Sequence, residues 1–278
     1  MKICISEATT LPSSFEEDVK GYAGCGVHAM EVWLTKLEKH LENHSLEETR
    51  SLLSDHQMIL PAASYQGGIL LSQGAQKQAT YDHFKRRLDL CQALDIRTLL
   101  VVADFVNKVD PAQLQYAVNS LRTAAQWAEG FNVCLALEFR AKNSFCSCLD
   151  TAASLIHACG EKNIGIAFDV FHYYTGCSKQ EDLGLLNSSN LSHVHVCDLS
   201  GIPRELATDS DRIFPGEGDF DLLPILNHFK AINYQGWLSL ELMNPMIWEA
   251  KCSTVASMGL ASMNALLQRL EKTENKNT

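Results

Sequence analysis

At 278 residues, 46% of them hydrophobic, the chain is long enough to bury a full core, and one α/β barrel of about 250 residues would account for it. The net charge of −10 argues against a nucleic-acid backbone as the main partner, because phosphate contacts require clustered Lys and Arg. No apolar stretch reaches the roughly 18 residues of a membrane span.

Taken in order, the chain opens with Met1-Lys-Ile-Cys-Ile5, which reads as a strand and not as the apolar region of a signal peptide. Further strands are predicted over 29–33, 59–64, 98–103, 133–139, 164–170, 191–197 and 237–242, the first covering 2–6. Helical segments lie between them. Ser45-Leu-Glu-Glu48 has the capping-box spacing, a hydroxyl at the cap and a Glu three residues on. Residues 82–93 carry Phe84, Leu88 and Cys91 on one stripe, the face a barrel helix turns to its sheet. Asp110-Pro111 sets a capping carboxylate before a proline at the first helical position. The one long insertion, 200–219, follows the seventh strand, and the polar residues 271–278 trail a single domain over 1–270. Ten cysteines, among them Cys4, Cys134 and Cys197 inside apolar runs, read as reduced thiols of a cytoplasmic protein. The β-α rhythm repeated eight times predicts one closed (β/α)8 TIM barrel. An open doubly wound sheet would use fewer strands, and no glycine-rich phosphate loop follows the first strand.

The last four strands each end in a side chain able to bind a metal: Glu138, Asp169, His195 and Glu241. Side chains in a strand alternate faces. The ligand-bearing face also carries small or polar residues (Cys134, Ala136, Gly165, Ala167, His193, Ser239), whereas the opposite face is mostly apolar. A terminal carboxylate on one strand commonly serves only as a loop acceptor, but four such groups in register form a constellation. Three carboxylates and an imidazole suit one divalent ion, Mn²⁺, Mg²⁺, Co²⁺ or Zn²⁺, with room for substrate oxygens.

The neighbours of this set admit two readings each. His193 shares a face with His195 but lies a layer deeper, which suits a hydrogen-bonded core histidine better than a ligand. Asp198 either orients His195 from behind or caps the following loop. His172 reaches the site only if the chain turns after Phe171; otherwise it is a surface histidine. Arg212, ahead of Pro215-Gly-Glu-Gly218, either donates paired hydrogen bonds to a substrate oxygen or ligand carboxylate, or stands solvated on a plain loop. Trp248 suits a subunit contact in a homo-oligomer or a substrate wall.

The segments Leu137-Glu-Phe139, Phe168-Asp-Val-Phe-His172, His193-Val-His-Val-Cys-Asp198, Asp211-Arg-Ile-Phe-Pro-Gly-Glu-Gly218 and Ser239-Leu-Glu241 together resemble the sugar phosphate isomerase/epimerase superfamily of xylose-isomerase-like barrels. Within it, Ser6-Glu-Ala-Thr-Thr10 and Asp209-Ser-Asp-Arg212 look most like the inosose (2-keto-myo-inositol) isomerases. The resemblance spans about 1–270. It implies a divalent metal on Glu138, Asp169, His195 and Glu241, with His172 and Arg212 contacting a small polyol or keto-sugar.

Such a site supports proton transfer beside a carbonyl through an enediolate. Glu138 and Glu241, from the fifth and eighth strands, are placed to flank the substrate as the acid/base pair. Loss of a β-hydroxyl instead would make a keto-sugar or inosose dehydratase. The endonucleases of this superfamily add histidines at other strand ends. Here the second, third and fourth strands end at Glu31-Val-Trp33, Ala63-Ser64 and Ala103-Asp104, without histidine and without a basic footprint. A non-catalytic sugar-binding barrel would lack a ligand, and none is missing.

Overall fold

The computed structural model describes residues 1–274. Its strands are β1 (Lys2–Ser6), β2 (Met30–Trp33), β3 (Ala62–Gln66), β4 (Thr98–Val102), β5 (Cys134–Glu138), β6 (Ile164–Asp169), β7 (Leu191–Val196) and β8 (Trp237–Leu240). They follow one another around a closed barrel of parallel strands. The described helices are α1 (Phe15–Gly24), α2 (Leu34–His40), α3 (Leu46–Asp55), α4 (Gly74–Ala93), α5 (Pro111–Gly130), α6 (Leu149–Cys159), α7 (Val170–Thr175), α8 (Leu222–Ala231) and α9 (Cys252–Glu274). The predicted β/α alternation is therefore present throughout.

Contacts group the chain into two compact units. One comprises Met1–Pro61 together with the chain from Val194 onward. In it β1 pairs with β2 (Ser6 beside Glu31) and with β8 (Cys4 beside Ser239), and β7 pairs with β8 (His195 beside Ser239). The other, Ala62–His193, holds β3 to β6. There Val102 lies beside Glu138 and Glu138 beside Ala167. Ala62, Leu100, Ala136 and Ala167 form a buried cluster of mostly small side chains, which is why Cβ-only residues occupy the ligand face below the carboxylates.

The helix signals match their structures. Ser45 and Glu48 close a reciprocal capping box on α3, as do Asp110 and Gln113 on α5 with Pro111 in its first turn. Phe84, Leu88 and Cys91 are all buried on α4, which starts earlier than expected, at Gly74. The third strand departs from its predicted span of 59–64 and runs over Ala62–Gln66. Pro61 has no N–H to give a ladder, and Ile59 makes only an isolated bridge to Ala29. Burial pushes the Cys91 thiol up to about 12 and those of Cys4 and Cys146 further still, so these cysteines serve as inert apolar filling. Helix α9 continues to Glu274, into the polar C-terminal stretch, and 275–278 lie outside the described residues. No described helix is long and apolar enough to cross a membrane.

Candidate metal centre

Strand register sets the heights of the four sequence-predicted ligands. Glu138 ends β5 level with Ala167, and Asp169 stands two residues further along β6. His195 is level with Ser239, and Glu241 follows two residues later, just past β8. Side chains two apart share a face, so each carboxylate stacks above a small or polar residue. All four are buried, and one ligand atom from each lies within 4.8 Å of the others.

His195 is held from two sides. Its Nε2 lies 3.1 and 3.0 Å from the two carboxylate oxygens of Glu31, and its Nδ1 lies 3.3 Å from Glu241 Oε2. Glu31 was passed over in the sequence because a carboxylate among Met30, Val32 and Trp33 carries no histidine-like signal. What places it is the pairing of β2 with β1 (Ser6 beside Glu31) and the β1–β8–β7 pairing that brings His195 round to it. His193, also buried, offers a nitrogen within 4.8 Å of Glu31 and His195.

Asp169 caps α7, accepting from the Phe171 N–H through Oδ1 at 2.7 Å. The helix begins at Val170, so the chain turns after Asp169, two residues earlier than the reading of His172 required. That turn brings His172 Nε2 to 3.8 Å from Asp169 Oδ2, with the ring buried.

Arg212 is not a solvated loop residue. It is 1% exposed, with Nη1 3.2 Å from Glu241 Oε2 and with Nη2 and Nε donating to Asp209 Oδ1 at 2.7 and 3.1 Å. Asn244 Nδ2 in turn donates to the Arg212 carbonyl.

Of the two readings of Asp198, the loop cap describes what its carboxylate does. It accepts from the backbone N–H groups of Leu199, Gly216 and Phe220, each at 2.9 Å. Asp198 and Ile213 also exchange backbone hydrogen bonds. Gly218 allows this closure, because a Cβ there would meet Leu199 O at 2.3 Å and Asp198 Oδ1 at 2.4 Å. The Gly-x-Gly sequence thus lets the loop fold onto Asp198. Trp248 donates its indole N–H to the Ala8 carbonyl at 3.0 Å.

The donor set fits a divalent ion. Ionised carboxylates have no proton to give, and with the Nε2 proton directed at Glu31, His195 Nδ1 and Glu241 Oε2 would meet as two acceptors. A contact of 3.3 Å between them needs a cation or a proton in between. Two ligands held at about 2.1 Å by one tetrahedral ion stand about 3.4 Å apart.

Residues 20–259 match the family model described as xylose isomerase-like TIM barrel. The inosose isomerase of Bacillus velezensis is 27% identical over 256 residues, covering 88% of this chain and 89% of that protein. Among solved structures, IOLI protein with a bound zinc atom superposes with a TM-score of 0.91 at 23% identity, covering 97% of this chain and 99% of that one. D-Psicose 3-epimerase, crystallised in the presence of D-fructose, gives a TM-score of 0.74 at 21% identity, covering 94% and 97%. At such identities the structural likeness is one of fold.

Proposed function

The chain belongs to the xylose isomerase-like TIM barrel family, and on that premise we propose that it is a divalent-metal-dependent isomerase or epimerase of a keto-inositol or ketose. The observation that carries this reading is the buried set of Glu138, Asp169, His195 and Glu241, with one ligand atom from each within 4.8 Å of the others. The likeness to inosose isomerase over most of both chains supports a keto-inositol as the first substrate to try. We place the enzyme in the cytoplasm, acting on a small free substrate.

Glu138, Asp169, His195 and Glu241 would hold the ion. Bound there, a divalent ion would supply Lewis-acid polarisation of a substrate carbonyl. Glu241 and Glu138 are the acid/base pair: one removes the proton from the carbon beside the carbonyl, and the same or the other carboxylate returns it. Arg212 fixes Glu241 Oε2, with Nη1 3.2 Å away. His172, buried beside Asp169, donates to a substrate oxygen. Burial of the set strengthens each polar contact there. Return of the proton to the neighbouring carbon gives isomerisation, and return to the opposite face gives epimerisation.

The test is turnover of 2-keto-myo-inositol and a panel of ketoses by the metal-loaded protein, followed by NMR. Formation of an isomer or epimer supports the reading. Loss of water from the substrate would make the enzyme a dehydratase, and no conversion of any member by a metal-loaded protein would overturn the assignment.

A further inference from the structure

We propose that Glu31, outside the four-residue donor set, is the positioning residue that aims His195 at the ion and thereby sets metal affinity. The inference rests on the reading of the donor set above. Both Glu31 oxygens lie at hydrogen-bond distance from His195 Nε2, 3.1 and 3.0 Å, and the two side chains are buried, Glu31 at 0% and His195 at 2% exposure. A carboxylate in that position only accepts, so Nε2 carries the proton and Nδ1 presents its lone pair to the side where Glu241 stands. The strand pairing makes this choice rigid. Glu31 sits beside Ser6 across the β1–β2 ladder, and the Ser6 hydroxyl, itself buried, donates toward Glu31 Oε1 at 3.5 Å.

The imidazole has two nitrogens, and only one can face the carboxylates of the site. Without Glu31, either tautomer would be open and the ring would be free to turn toward His193, whose nitrogen is within 4.8 Å. A partner behind a ligating histidine commonly governs affinity by 10- to 100-fold. The rival is a second ion held directly by Glu31, His193 and His195, which also have ligand atoms within 4.8 Å of one another. Contact of Nε2 with both oxygens of one carboxylate at hydrogen-bond length favours the positioning role.

The experiment uses the full chain and its Glu31→Gln and Glu31→Ala variants. Zn²⁺ and Co²⁺ affinities are measured by competition with a chromophoric chelator, with metal content per chain and the visible spectrum of the Co²⁺ form. Glu31→Gln keeps the shape and an acceptor, so affinity should fall about 10-fold; Glu31→Ala should lose about 100-fold and alter the Co²⁺ spectrum. The parent protein should bind one ion, and both variants should still bind one when saturated. Variants that bind within twofold of the parent would overturn the role of Glu31 while leaving the donor set intact. Two ions in the parent and one in Glu31→Ala would establish the rival. A parent that binds no divalent ion would overturn the donor set itself.

Discussion

Arg212 Nη1 lies 3.2 Å from Glu241 Oε2 while the same guanidinium holds Asp209 Oδ1 through Nη2 and Nε. The arginine is thus a buried bridge between the long loop after β7 and the carboxylate just past β8. Glu241 then meets His195, and His195 meets Glu31. In this row Arg212 stands against both Asp209 and Glu241, and His195 Nε2 against Glu31, so each carboxylate has a neighbour that can offset its burial.

Removing one member of such a row leaves a buried charge uncompensated, which costs about 3 kcal/mol or more. Arg212→Ala should therefore lower stability by that order and release Glu241, cutting kcat/KM by at least about a hundredfold. Arg212→Lys keeps the charge without the fork and should fall between the two. Denaturation midpoints and steady-state kinetics check this. An Arg212→Ala protein of parental activity would show that the bridge is incidental.

The Asp198 carboxylate ties down the loop after β7 through three backbone N–H groups. Asp198→Asn forfeits at least one of three N–H bonds to a charged acceptor, a loss of about 2 kcal/mol. We expect a lower Tm and faster proteolysis within 200–219, with metal affinity close to the parent's. Weakened metal binding at an unchanged Tm would place Asp198 behind His195 instead.

Much of this was legible in the sequence. Four strand exits ending in Glu138, Asp169, His195 and Glu241 marked the donor set, because period-2 alternation is local and survives in short strands. The capping box at Ser45 and the Asp110-Pro111 cap marked helix starts because capping signals too are local. The third strand was misplaced because Ile59 and Leu60 are apolar but Pro61, with no N–H for a ladder, keeps them out of the strand, which begins at Ala62. Glu31 was invisible because its partner lies 164 residues away, and no spacing rule encodes a contact made by barrel closure. Arg212 and Asp198 showed their chemistry but not their partners, since loop geometry depends on which backbone N–H groups return to the carboxylate.

If Glu241 and Glu138 handle the proton, replacing either with the isosteric amide removes the basic oxygen and leaves the packing. Glu241→Gln and Glu138→Gln should fold as the parent does and lose about a thousandfold or more in turnover. Circular dichroism and kinetics with a keto-inositol or ketose test this, and retained activity would sink the acid/base assignment.

Asp104, just beyond β4, supplies a pH signature. Burial raises its pKa above the ordinary carboxylate value, with the Gly68 N–H to Oδ2 bond, at 2.6 Å, only partly offsetting that rise. In the window between the unfolded and the raised folded pKa the native state binds the extra proton, so this group's stabilising contribution is complete below the unfolded value, about 3.9. It is lost as pH rises through the folded value. Asp104→Asn stays neutral and can still accept from Gly68. It should raise Tm at pH 7 and lose that advantage as pH falls toward 4. Melting curves across that range decide it; an advantage that grows toward acid would reverse the sign and the explanation.

The central claim is proton transfer beside a carbonyl, and solvent isotope exchange reads it directly. The metal-loaded protein is incubated with 2-keto-myo-inositol in D₂O, and deuterium at the carbon next to the carbonyl is followed by NMR and mass spectrometry. We expect exchange that depends on the metal and is lost in Glu241→Gln. A metal-loaded protein that converts the substrate with no deuterium at that carbon would contradict the enediolate route.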